Sequence, residues 1–197
     1  KIQLKGLKLG LMGQFQAQNA GLAIAACLKF LGGSKESEIR KGLEAVHWEG
    51  RLEVVSDSPT VVLDCAHNVA SVRNMTSEVR KNIDFDRCFI ILGLMKDKEI
   101  DNIIEILSQF GDLFFLVQVN PERGETTEKL KEKLNKYNKR IQVSESVSDA
   151  LQAAKKFAKP KDLVCITGSF YTVAEAKKCF QHEKNLTNPG SAPHPRK

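Results

Sequence analysis

The sequence predicts an α/β fold: a Rossmann-like, mainly parallel sheet with an antiparallel edge strand and helices on both faces. Three observations point to it. From about Trp48 onward, short β-branched runs alternate with amphipathic helical ones. The first two runs are separated by only Asp57-Ser58-Pro59, which makes them a hairpin. Polar or glycine-led turns follow several of the runs, at what the alternation makes one edge of the sheet.

Taken in order, Asn19–Leu31 is rich in alanine and leucine and closes on Gly32-Gly33, which predicts a well-buried helix with a glycine stop. Ser34 opens a second helical stretch through Ile39, Leu43 and Val46. The hairpin strands are Leu52–Ser56 and Thr60–Leu63. Then come a helix near Val72–Asn82, a strand Cys88–Leu92, a helix Ile100–Phe110 and a strand Leu113–Val117. The alternation continues with a helix Thr127–Tyr137, a strand Ile141–Val143, a helix Val147–Ala158, a strand Leu163–Thr167 and a helix Val173–Phe180. The pattern divides the chain into residues 1–47, which lie outside the alternation, a Rossmann-like domain over 48–181, and a tail over 182–197. The tail combines Asn185, Asn188, Pro189, Gly190, Pro193 and Pro195, has no apolar periodicity and is expected to be disordered.

The 30 basic against 24 acidic residues give a net charge of +6, which suits anionic ligands. No docking motif or interleaving of basic and aromatic residues supports nucleic-acid binding in a chain only 7% aromatic. The five cysteines are odd in number and widely spaced, as in reduced thiols of a cytoplasmic protein. No apolar run is long enough to cross a bilayer and the amino terminus has no signal-peptide pattern, so neither membrane nor export is expected.

The densest chemistry follows the second strand, where Asp64-Cys65-Ala66-His67-Asn68 brings a carboxylate, an imidazole and an amide to a strand-to-helix turn. Such a carboxylate can accept from ribose hydroxyls, and the histidine can reach a phosphate or an acyl oxygen. Alternatively, Asp64 or Asn68 caps the next helix. Gly50-Arg51 precedes the first strand, and its guanidinium fork matches phosphate. Of the two glycine-led loops, Gly93–Lys98 is expected to hold Asp97 in a structural role, and Gly168–Tyr171 to present Ser169 to a ligand. No stretch matches the phosphate cradle G-x-x-x-x-G-K-[ST]; the spacing of Gly32-Gly33-Ser34-Lys35 is wrong.

In sequence order these segments resemble the folylpolyglutamate synthase and dihydrofolate synthase branch of the Mur-ligase superfamily. Gly13-Gln14-Phe15-Gln16-Ala17-Gln18-Asn19-Ala20 is similar to that family's G-x-[FH]-Q-x-x-N-A helix, Trp48-Glu49-Gly50-Arg51 to W-P-G-R, and Leu63–Asn68 to L-D-G-A-H-N. Gly93 with Asp97-Lys98 resembles its G-x(n)-D-K-[DE] loop, Pro121-x-Arg123 its P-x-R, and Ile166–Val173 its T-G-S-[LF]-[YF]-x-[VI]. Glu49 and Cys65 depart from the pattern. Cysteine fits in place of glycine only at a negative φ.

The resemblance implies an ATP-dependent ligase that joins L-glutamate to a folate or to dihydropteroate through an acyl phosphate. It implies that residues 1–47 are the end of a central ATPase domain, and that the P-loop and the Mg2+ ligands lie upstream, with no metal site in this chain. On that template Asn19 contacts adenine, Arg51 a phosphate and Asp64 the ribose. His67 is the catalytic candidate and, with Ser169 and Tyr171, meets glutamate or the acyl phosphate. The segment alone is expected to be inactive, and the parent to be a monomer that closes on ATP about a hinge in the Ala45–Arg51 junction, where Gly50 absorbs the backbone change. Two rival readings are another Mur-type ligase, for a cell-wall precursor or cyanophycin, and a non-catalytic nucleotide-binding α/β module.

Overall fold

A computed structural model describes residues 4–33 and 36–187, with side chains through residue 182. Ser34, expected to open the second helix, and the tail beyond Thr187 lie outside the described residues. The elements run α1 (Phe15–Phe30), α2 (Glu36–Ala45), β1 (Glu53–Asp57), β2 (Thr60–Leu63), α3 (Val69–Asn82), β3 (Cys88–Leu92) and α4 (Ile100–Phe110). They continue as β4 (Leu113–Leu116), α5 (Thr127–Asn135), β5 (Arg140–Val143), α6 (Val147–Phe157), β6 (Leu163–Thr167) and α7 (Phe170–Thr187).

The strands form one sheet in the order β1-β2-β6-β3-β4-β5. Only the β1–β2 pair is antiparallel, with Glu53 opposite Leu63 and Asp57 opposite Thr60. Every other pair is parallel, with Leu63 beside Ile166 and Ile90 beside Cys165. β3 and β6 are buried along their whole length, because a central parallel strand is covered on both faces. Their side chains alternate between two cores. Cys88, Ile90, Leu92 and Cys165 pack with Val72, Met75, Ile103 and Leu130 of α3, α4 and α5. Phe89, Ile91, Val164 and Ile166 pack with Val147, Leu151, Val173 and Ala176 of α6 and α7.

This layering positions the site. The chain leaves β2 and β3 toward the α3–α4 face but leaves β6, which lies between them, toward the α7 face. The loops therefore part at the carboxyl ends of β2, β6 and β3 and leave a crevice there, as expected at a switch point of an open sheet.

Two expectations are corrected. α1 is not well buried: Leu22 is 73% and Phe30 90% exposed, and Gln16 is its one buried residue. Its alanines and leucines surround the helix rather than marking one face, so nothing in the described residues covers most of it. The expected disorder from His182 onward is also replaced by helix as far as the description goes, since α7 continues to Thr187. A helix already nucleated on a core face propagates without further apolar periodicity.

Candidate active site

The turn that presents Arg51 is pinned on both sides. Gly50 has φ +67°, and a Cβ there would lie 2.8 Å from Cys65 Sγ and 2.9 Å from Val173 Cγ1. Its N–H donates to Glu53 Oε2 at 2.7 Å, and its carbonyl accepts from Cys65 N at 2.9 Å. Leu52 is buried at φ +48°, a left-handed conformation that costs a non-glycine residue about 1–2 kcal/mol. Its N–H is held by Asp64 Oδ2 at 2.9 Å. Gly50 is thus held in a conformation that proline cannot adopt. Exposed residues of the linker lie just before it, at Val46–Glu49. Glu49, in place of the family's proline, pairs with Lys177 at 2.9 Å, and Lys177 also meets Glu53 at 3.1 Å.

Asp64 is only 4% exposed. Its Oδ2 takes the Leu52 N–H and its Oδ1 the Ala66 N–H at 2.8 Å. Burial pushes its carboxyl above the ordinary aspartate range, against these two hydrogen bonds and the nearby Arg51. It is not a helix cap. That task falls to Asn68, whose side chain accepts from Ser71 N at 2.9 Å in a reciprocal capping box. Cys65 keeps a φ outside the left-handed region, as its Cβ requires, and burial pushes its thiol up to about 11.

His67 Nδ1 lies 2.8 Å from the Cys65 carbonyl oxygen. A carbonyl only accepts, so Nδ1 carries the proton and Nε2 is the nitrogen left for a ligand. The ring tilts against Phe170, centroid to centroid 5.5 Å.

Ser169 is buried and structurally committed. Thr172 Oγ1 donates to the Gly93 carbonyl at 3.0 Å and stands 2.7 Å from Ser169 Oγ, so the single hydroxyl hydrogen of Ser169 goes to Thr172. Ser169 Oγ also accepts from Thr172 N at 3.1 Å, which makes it the cap of α7. The same hydroxyl ties the β6 loop to the β3 loop. The first N–H groups of α7, at Phe170 and Tyr171, have no acceptor among the described residues.

Two clefts open at this edge of the sheet. One, of about 320 Å3, is lined by Phe15, Gln16, Asn19, Trp48, Arg51 and Phe170. Asn19 Nδ2 donates to Gln16 Oε1 at 2.9 Å, so two side-chain amides stand together. The Arg51 side chain has no hydrogen-bond or ion-pair partner among the described residues. The other, of about 390 Å3, is lined by His67, Met95, Lys98, Arg123, Ser169, Phe170 and Tyr171. The expected residues therefore sort into Asn19 with Arg51, and His67 with Ser169 and Tyr171; Phe170 lies in both clefts, and Asp64 lines neither.

Lys98 and Arg123 stood in motifs but carried no predicted role. The structure joins them by bridging Met95 to Gly124 and by a Lys96 N–H to Arg123 O bond of 2.9 Å. A larger cleft of about 560 Å3, lined by Arg87, Asp112, Arg140 and Phe157 among others, lies at the amino edge of the strands. The motif-bearing loops are at the opposite edge, which makes the two smaller clefts the candidate site.

Comparison with known proteins gives the family. Residues 50–170 match the family model described as Mur ligase, glutamate ligase domain. The Escherichia coli (strain K12) dihydrofolate synthase/folylpolyglutamate synthase is 32% identical over 182 residues, covering 92% of this chain and 42% of that protein. A probable bifunctional folylpolyglutamate synthase/dihydropteroate synthase of Haloferax volcanii is 32% identical over 172 residues, 87% of this chain and 20% of that protein. Among solved structures, Mycobacterium tuberculosis folylpolyglutamate synthase complexed with ADP superposes with a TM-score of 0.83 at 27% identity, covering 95% of this chain and 43% of that one. E. coli FolC in complex with DHPP and ADP gives 0.82 at 31% identity, covering 92% and 42%. The chain thus spans less than half the length of these relatives. It belongs to the Mur ligase family, and residues 50–170 are its glutamate ligase domain.

Proposed function

We propose that this chain is the carboxy-terminal part of an ATP-dependent ligase, a folylpolyglutamate synthase or dihydrofolate synthase, that adds L-glutamate to a folate or to dihydropteroate. The observation that carries the reading is the pair of adjoining clefts. One holds an uncommitted guanidinium beside two amides and aromatic rings; the other is lined by an imidazole and two cations. A nucleotide fits the first, and an amino acid with two carboxylates fits the second. Related structures support both ligands, since one carries Mn, AMPPNP and L-glutamate.

In the proposed reaction the carboxylate of the acid attacks the γ-phosphorus of ATP, and ADP leaves. The amino nitrogen of glutamate then attacks the acyl carbon of the resulting acyl phosphate, the bond to phosphate breaks, and the amine loses a proton. This chemistry asks for placement and charge neutralisation rather than a protein nucleophile.

Asn19 with Gln16 reads the adenine edge, and Arg51 holds a phosphate. His67 Nε2, with its tautomer fixed by Cys65 O, accepts a hydrogen bond or the proton from the amine. Lys98 and Arg123 hold the glutamate carboxylates, and the free N–H groups at Phe170 and Tyr171 face the developing negative charge. Asp64 serves ATP binding through the backbone, by holding the Arg51 turn.

Among the described residues no group of three or more His, Cys, Asp or Glu stands close enough to hold a metal ion. We assign Mg2+ binding and the phosphate cradle to the upstream part of the full-length ligase. To the same upstream domain we assign residues 1–47, whose α1 is apolar all round yet exposed; the glutamate ligase domain takes 48–181. No described helix is long and apolar enough to cross a membrane.

The test is ADP formation by the full-length ligase with glutamate and either acceptor. Turnover should need both substrates, and the 197-residue chain alone should show none. Turnover with a cell-wall precursor and with neither folate acid would overturn the assignment, as would glutamate-dependent phosphate release by the chain alone.

A further inference from the structure

α1 starts without a cap of its own. Gln14, at the cap position, is in the αR conformation with no side-chain cap bond, and the first turn holds no acidic residue. The Gln14 N–H donates instead to Glu78 Oε2 of α3, at 3.1 Å and 64 positions along the chain. Among the described residues no other hydrogen bond joins α1 to the sheet domain. The chain reaches this contact through Gly13 at φ +112°, where a Cβ would lie 2.6 Å from the Phe15 ring. Phe15 and Met12 pack beside the contact against the core under α3 and α4. Glu78 is 7% exposed, and its carboxylate stands at the positive end of the α1 dipole. Within the first two turns of α1, Gln16 and Asn19 line the cleft with Arg51, Trp48 and Phe170.

We propose that Glu78 is a positioning residue that caps α1 from the neighbouring domain and so holds Gln16 and Asn19 over the cleft formed by Arg51 and Phe170. The inference rests on the nucleotide reading of that cleft only for its consequence; the cap itself does not depend on it. With the bond in place, the first turn of α1 is fixed against α3. With the bond broken, Met12 and Phe15 alone retain the helix, and its amide side chains leave the cleft.

The geometry also sets a pH dependence. The Gln14 N–H is the main influence holding the Glu78 carboxyl below the ordinary glutamate range, against burial, with help from Lys81 at 3.2 Å and Asn82 at 3.4 Å. Lys81 is the charged group that faces it. A depressed carboxyl pKa means that the contact is fully present above the ordinary glutamate range and is lost as the pH falls through the lower folded value.

Amide exchange and chemical shifts of the 15N-labelled chain test this, with Trp48, the single tryptophan, as an optical probe of the cleft. In the wild type the Gln14 and Gln16–Asn19 amides should be protected, and the Gln14 shift should titrate with a carboxyl below the ordinary glutamate range. Glu78→Ala should speed exchange in that turn about tenfold and alter Trp48 emission, while amides of β3 and β6 keep their protection. Glu78→Gln, which keeps an acceptor but no charge, should give intermediate protection with no titration. Unchanged exchange in Glu78→Ala, with the sheet intact, overturns the proposal. Faster exchange with unchanged Trp48 emission overturns the positioning role. ADP added to the full-length ligase, as wild type and as each variant, separates the two readings. Binding should weaken about tenfold in Glu78→Ala. If ADP binds neither protein, the nucleotide reading fails, and exchange with emission still decides the cap.

Discussion

Replacing Asp64 by alanine tests whether the site is built around the backbone bonds of this side chain. The change removes the acceptors of two buried N–H groups, those of Leu52 and Ala66. Leaving a buried donor unpaired costs about 1–3 kcal/mol, so two give about 2–6 kcal/mol. Two effects pull the net toward the lower half. Burial already disfavours the Asp64 charge, and alanine relieves that cost. Leu52, held at φ +48°, can also relax once its N–H is released, which recovers about 1–2 kcal/mol of strain. The expected loss is about 2–4 kcal/mol. The relaxation also moves the adjacent Arg51, so nucleotide affinity in the full-length ligase should fall along with stability. Arg51→Ala is the control. Its side chain has no hydrogen-bond or ion-pair partner among the described residues, so stability should change by less than about 0.5 kcal/mol while affinity falls. Urea unfolding followed by circular dichroism gives the stabilities. If Asp64→Ala unfolds within about 0.5 kcal/mol of the wild type, the turn is not held in this way.

Ser169→Ala should cost about 1–2 kcal/mol in the same assay, through loss of the α7 cap and of the partner of Thr172, and Asn68→Ala about 1 kcal/mol. An unaffected Ser169→Ala fold with impaired glutamate use would show that the hydroxyl serves the ligand instead. Stability should fall as the pH drops below the ordinary aspartate range. The Arg87 fork, with the Lys159 N–H, holds the buried Asp162 carboxyl below that range, and a group depressed by folding withdraws its contribution on protonation. Arg87→Leu should flatten the slope, as read from urea midpoints against pH. A thiol reagent at neutral pH should modify exposed Cys27 quickly and should leave Cys65, Cys88 and Cys165 untouched until the chain unfolds, because burial keeps all three as thiols. Rapid loss of the Cys65 thiol in folded protein would contradict its placement.

The sheet was legible because a central parallel strand must be apolar on both faces, and Cys88–Leu92 and Leu163–Thr167 are little else. The loops at its carboxyl edge followed from the alternation alone. What could not be read were the pairings that cross the sequence. The Ser169 hydroxyl meets Thr172, and Thr172 in turn donates to Gly93 O across the β6–β3 boundary, a tie that no local pattern reveals. Asp64 and Asn68 both looked like caps, and only the geometry of the turn gives one carboxylate to Leu52 and Ala66 and the amide to Ser71. Nor could the sequence tell that Gly50 is required by a positive φ and by two close side chains, Cys65 and Val173. The apolar run of α1 predicted burial, yet nothing among the described residues covers most of it.

The central claim is that two adjoining clefts divide the substrates, with ATP against Asn19 and Arg51 and glutamate against Lys98 and Arg123. Steady-state kinetics of the full-length ligase test it most directly. Arg51→Ala should raise KM for ATP about tenfold or more and leave KM for glutamate nearly unchanged, and Arg123→Ala should do the reverse. If both variants shift the same constant, or each shifts the other's, the assignment of the clefts is wrong.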